Sequence, residues 1–169
     1  MIPVIITLVL SILIVTYSIC KDKFSFINIK LVNVEEKINS ILIKRKDLIQ
    51  DSEKIIKKTL NTTKNIYESL NDIDEVTKDM IVFNKKLEVC VNEIHLINDK
   101  YKKLQNNDEF QKILFTLDDT TNHLEAYKNY YNDSAESYNK LLGTFPINFI
   151  AFLKRKKKKS LFPNKPNNN

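Results

Sequence analysis

Apolar residues fall along this chain in blocks of different rhythm, and the rhythm predicts the elements. The first twenty, MIPVIITLVLSILIVTYSIC, are apolar without period and carry no charged side chain. As a helix rising 1.5 Å per residue, residues 2 to 20 reach about 28 Å, close to the roughly 30 Å hydrocarbon core of a bilayer. A period of seven then sets in with Ile27, Val34, Ile41, Leu48 and Ile55, while Phe24, Leu31 and Ile38 supply an alternate line that continues to Arg45 and Ser52. That is one long helix whose seam turns polar toward its far end.

A second stripe runs Ile66, Ile73, Met80, Leu87, Ile94, Tyr101, partnered by Val76, Phe83, Cys90, Ile97 and Leu104. A third runs Phe110, Leu117, Leu124, Tyr131, Tyr138, with Phe145 beyond it and Leu114, Thr121, Lys128, Ala135 and Leu142 as alternates. NTTKN at 61–65 and QNNDE at 105–109 punctuate the stripes, with Asn107 or Asp108 as an N-cap. Gly143 is expected to close the third helix in the left-handed conformation and Pro146 to prevent its continuation. INFIAFL at 147–153 is too short for a full bundle member and either caps the bundle or lies against a membrane. Three long amphipathic segments cannot bury their stripes alone. The expected fold is all-α: an N-terminal transmembrane helix, then an antiparallel up-and-down bundle of three long helices plus a short C-terminal helix. Its divisions are an anchor over 1–23, a bundle over 24–153 and a basic, disordered tail over 154–169.

Composition narrows this further. One Gly and four Pro in 169 residues argue against a turn-rich β fold or a glycine-cradled nucleotide site. Net charge is +6, and the run KRKKKK at 154–159 holds six cations, so the other 21 basic residues match the 21 acidic ones. The basicity is local.

No Lys or Arg precedes the apolar run, as a cleaved secretory signal would require, so a retained anchor is the reading. Lipid attachment at Cys20 is the alternative, and the bulk of Ile19 opposes it. Lys21, Lys23 and Lys30 all follow the span, which predicts a single-pass protein of the cell membrane with its N-terminus outside and its bundle in the cytoplasm. Two cysteines so differently placed make no disulfide framework, and Cys90 in a core line reads as an inert thiol.

Candidate chemistry is sparse. Arg45, Asp47, Asp119, Thr121 and Lys128 fall on or beside the seams. Charges there are costly unless paired, so Arg45, Asp47, Thr121 and Lys128 mark either a register-setting polar layer or a ligand pocket between helices. His95 and His123 belong to no metal-binding spacing, and no nucleophile motif occurs, so no catalytic residue, metal or cofactor is assigned. The acceptor patterns NTT at 61–63 and NDS at 132–134 read as chance in a cytoplasmic domain.

Lys154, Arg155, Lys156, Lys157, Lys158 and Lys159, flanked by Phe149, Phe152, Leu161 and Phe162, suit an anionic lipid surface. A solvated tail is the bland reading, and phosphate contact with nucleic acid is the weakest. The expected partners are therefore membrane lipid and a protein of unspecified kind, with self-association open because a coiled seam also suits it.

NNDEFQKILFTL at 106–117 followed by YYNDSAESYNKLLGTFPINFIA at 130–151 resembles the LemA family, with its paired Tyr-Asn signature and its Phe-Pro-x-Asn-x-Ile-Ala close. LIKRKDLIQ at 42–50 is similar to the family's basic-basic-x-Asp-Leu-Ile-Pro segment. The resemblance implies a bacterial membrane-anchored helical bundle without a defined molecular activity. This chain departs from the pattern with Gln50 for proline, Thr121 for glutamate and Lys128 for arginine. If that glutamate and arginine form an internal polar layer in relatives, both partners are altered here.

Overall fold

The computed structural model describes residues 2–62, 79–153 and 155–163, excluding the side chains of Ile150 and Leu153. Among the described residues there are helices and no strand: α1 (Ile2–Leu60), α2 (Met80–Lys100), the single turn α3 (Lys102–Gln105), α4 (Asp108–Leu142) and α5 (Ile147–Leu153). The chain is a helical bundle led by a long apolar helix. The break expected at 61–65 and the early part of the second stripe, with Ile66, Ile73 and Val76, lie largely outside the described residues.

Apolar lead and first bundle helix are one 59-residue helix. Between Pro3 and Leu60 there is neither Gly nor Pro to interrupt it. It ends at Asn61, which takes a left-handed φ of 50°, while the N–H of Thr62 donates back to the carbonyl of Lys57 at 3.2 Å. This is the six-residue closure that satisfies a helix's last carbonyls, with Asn in the place where Gly is commoner.

Gly143 does not take that role, since no glycine here has positive φ. α4 instead tightens into three-residue bonds, Gly143 N–H to Lys140 carbonyl at 3.1 Å and Thr144 N–H to Leu141 carbonyl at 3.0 Å. The Thr144 hydroxyl also donates to the Lys140 carbonyl at 3.0 Å. A side chain at 143 would meet only ordinary contact.

Helix starts are capped by side chains. Asp79 accepts from the N–H groups of Ile81 and Val82 at the head of α2, and Asn107 accepts from Phe110 N–H at 2.9 Å at the head of α4. Acidic Asp108 and Glu109 occupy α4's first turn, where the helix dipole favours them. α2 stops at Tyr101, one residue of extended backbone that turns the phenol outward rather than along the second stripe.

The described residues group into two compact units, Met1–Glu35 with Asn129–Asn169, and Glu36–Lys128. The core of the second unit includes Ile38, Leu42, Ile49, Ile56, Phe83, Leu87, Cys90, Ile94, Phe110, Leu117 and Leu124. In that unit α4 runs antiparallel to α2, with His95 beside Asp118 and Asn98 beside Gln111. α1 and α2 run in the same sense, since Arg45 faces Glu88 and Ile56 shares a cavity wall with Ile97.

One register differs from the sevenfold reading. Ile41 and Leu48 are only half-buried, whereas Leu42 and Ile49 are fully buried. A straight helix drifts by about 20° per heptad against a period of 3.5, so the buried face of a helix this long moves on by one residue. The drift carries Arg45 and Ser52 into the middle of the buried face, at 1% and 0% exposure.

Candidate functional site

Arg45, Glu88, Glu125 and Lys128 form a polar layer inside the Glu36–Lys128 unit. The ammonium of Lys128, buried on α4, lies 3.2 Å from Glu88 Oε1 on α2 and 3.0 Å from Glu125 Oε1 one turn back. Arg45 is held by the field of Glu88, Glu125 and Asp118, yet burial dominates and lowers the pKa of its guanidinium from the ordinary value. Its Nε finds no hydrogen-bond partner. Asn84, also buried, donates to Glu88 Oε1 at 2.9 Å. Opposite charges thus face one another around the buried cations, which is the condition for keeping charge inside a bundle.

Of the residues the sequence marked, Arg45 and Lys128 meet in this layer. Asp47 is exposed, because residues two apart on a helix face different sides. Thr121 is half-buried and donates its hydroxyl to Leu117 carbonyl of its own helix at 3.0 Å. Asp119 is exposed beside His123 at 3.6 Å, and His95 lies 3.0 Å from Asp118. Sequence reasoning missed Glu88, Glu125 and Asn84. Their signals were local: Asn84 and Glu88 are four apart, Glu125 and Lys128 three apart, and each glutamate follows a core leucine. Among the described residues, no group of three or more His, Cys, Asp or Glu could hold a metal ion.

The other polar assembly belongs to the Met1–Glu35 and Asn129–Asn169 unit. Residues 159–162, placed by the sequence reading in a disordered tail, are held on α4, because two asparagines complete the backbone hydrogen bonds of that segment. Asn139 donates to Lys159 carbonyl at 2.9 Å and accepts from Lys159 N–H at 2.8 Å. Asn132 does the same for Phe162, at 3.0 Å and 2.9 Å. Tyr131 donates to Ser160 carbonyl at 3.1 Å and meets the buried Phe162 ring edge-on. Tyr138 stacks on Phe24 at 5.1 Å, and burial raises its phenol pKa above the ordinary value, with Lys159 opposing and Glu35 assisting.

Of the basic run, Arg155, Lys156, Lys157 and Lys158 are exposed, and Lys154 lies outside the described residues. Lys159 is committed to Glu35 at 2.7 Å. In the same unit α5 shares with α1 an open cavity lined by Tyr17, Lys21, Asn28, Ile147 and Lys156 among others. Phe149 and Phe152 project from α5 at 64% and 81% exposure.

An apolar leading helix, a bundle stripe that carries buried cations against carboxylates, and paired Tyr-Asn positions near the end of the last long helix define a helical-bundle protein with an apolar N-terminal extension. The LemA family model matches residues 34–169, and the chain belongs to the LemA family. No curated protein matches it.

Proposed function

We propose that this chain is a single-pass membrane protein whose bundle works as an interaction module on the cytoplasmic face. One observation carries the reading. Along α1, the side chains from Ile2 to Ile19 are all exposed, and the same helix acquires a buried face only from Ile27 onward. So long an uncovered apolar rod calls for lipid as its solvent. Exposed Phe149 and Phe152 on α5, which shares a cavity wall with the Tyr17–Asn28 stretch, suit the interfacial zone of the same bilayer. Lys21, Lys23 and Lys30 support a cytoplasmic bundle. Arg155, Lys156, Lys157 and Lys158 remain for anionic headgroups, with Lys159 engaged elsewhere.

A ligand or catalytic pocket at Arg45, Thr121 and Lys128 has less support, because the ammonium is taken by Glu88 and Glu125 and the hydroxyl by its own helix. Membrane fractionation of the full-length protein, together with reporters fused at each terminus, tests the reading. Recovery in the aqueous fraction without detergent, or a C-terminal reporter active outside the cell, would overturn it.

A further inference from the structure

The Tyr-Asn repeat that the sequence sets at 131–132 and 138–139 has no use in a purely apolar seam. Asparagine is a poor helix former, and burying its amide is costly unless both ends are bonded. Asn132 is 9% exposed, and both ends of its amide are spent on one backbone residue of another segment. Asn139 repeats the arrangement.

The spacings fit. Seven residues of α-helix advance about 10.5 Å. Three residues of extended chain advance about 9–10 Å, and in a chain of threefold repeat residues three apart face the same way. Asn132 and Asn139 thus form a two-rung ladder matched to Phe162 and Lys159. Backbone bonds carry no side-chain information, so selection comes from two features. One is the buried Phe162 ring against Tyr131; the other is the Lys159 ammonium on Glu35.

We propose that the Asn132–Asn139 face of α4 is a binding track for an extended peptide carrying Lys-x-x-Phe, and that residues 159–162 occupy it in cis as a displaceable latch. The partner is a protein segment of that chemistry. The held segment follows a run of adjacent cations that repel one another, a repulsion that release from the track relieves. A tethered ligand acts at millimolar effective concentration, which sets the competition an incoming segment must meet. The inference deepens the interaction-module reading and rests on it. Its test is run in detergent, where failure of the track leaves the anchor and its orientation untouched.

The probe is a fluorescein-labelled peptide of residues 156–163, KKKKSLFP, with KKKKSLAP as its equally charged control. Full-length Phe162→Ala, whose own latch lacks its anchor, is expected to bind the probe about tenfold more tightly than the wild-type chain, and the control about tenfold more weakly than the probe. Adding Asn132→Leu or Asn139→Leu should remove that binding with helicity unchanged. Equal binding of probe and control would reduce the effect to charge adhesion and overturn the proposal, as would no gain in Phe162→Ala at unchanged helicity. Should Phe162→Ala lose helicity, hydrogen exchange in the wild-type chain decides: excess unlabelled peptide must speed exchange at the Lys159 and Phe162 amides, and unchanged rates would sink the idea.

Discussion

Lys128 on α4 meets Glu88 on α2 at 3.2 Å while only 5% of its side chain is exposed. The contact joins two helices through a buried ammonium whose other carboxylate partner, Glu125, is on its own helix. Both glutamates keep about a third of their surface in water, which screens them. Lys128→Ala is expected to lower unfolding free energy by about 1–3 kcal/mol, read by urea denaturation in detergent. Glu88→Gln should cost less, since a neutral amide can still accept from the ammonium. A double-mutant cycle of the two should return a coupling of at least about 0.5 kcal/mol, and additivity would show that the pair does not act together.

Arg45 separates packing from charge. It is among the largest fully buried side chains, its Nε is unpaired, and burial disfavours its cation. Arg45→Met keeps most of the volume and removes the desolvation cost but leaves the carboxylates around it short of one cation, so it should cost less than Arg45→Ala without being neutral. Arg45→Ala opens a cavity and should cost about 2–4 kcal/mol. Equal losses in both variants would mean that the guanidinium charge, not its volume, holds the layer.

Cys90 has no exposed surface. In a Cys20→Ser background, maleimide labelling should therefore proceed only as fast as the bundle opens, and the rate should rise with urea in step with loss of helicity. Rapid labelling of the native protein would contradict the packing of α2.

The Tyr138 phenol has its folded pKa raised above the ordinary 10.0, by burial first. A raised folded value means that the neutral form is favoured by folding. This contribution is complete below about pH 10, the unfolded value, and is lost as pH rises through the folded one. Tyrosinate absorbance should show late-ionising intensity that falls in Tyr138→Phe. The same variant should lose less stability on alkaline titration than the wild type.

The stripes were readable because a helix repeats its own geometry. Phe83, Leu87, Cys90 and Ile94 on α2, and Phe110, Leu117, Leu124, Tyr131 and Tyr138 on α4, are buried where the sevens put them. The sevenfold period departs from the buried face where length accumulates the difference: over the span of α1 the gap between 3.5 and 3.6 residues per turn moves the face from Ile41 and Leu48 to Leu42 and Ile49. Gly143, expected in the left-handed conformation, does not take it, and Asn61 does so at the end of α1. Of the polar layer, Arg45 and Lys128 were legible as charges on apolar lines. Glu88 and Glu125 were not, because nothing in one helix says which neighbour its flank will meet.

That the chain is helical, that its opening run is apolar enough to cross a bilayer, that α2 and α4 carry buried stripes, and that it belongs with the LemA proteins can all be read from the residues in order. Those properties are written in neighbouring residues and repeat along one element. It takes the packed fold to show that Glu88 serves Lys128 across 40 residues of chain, and that Asn132 and Asn139 hold Phe162 and Lys159 across 30 and 20. Such pairs depend on the register between elements, and a hydrogen bond is lost when that register slips by a single residue.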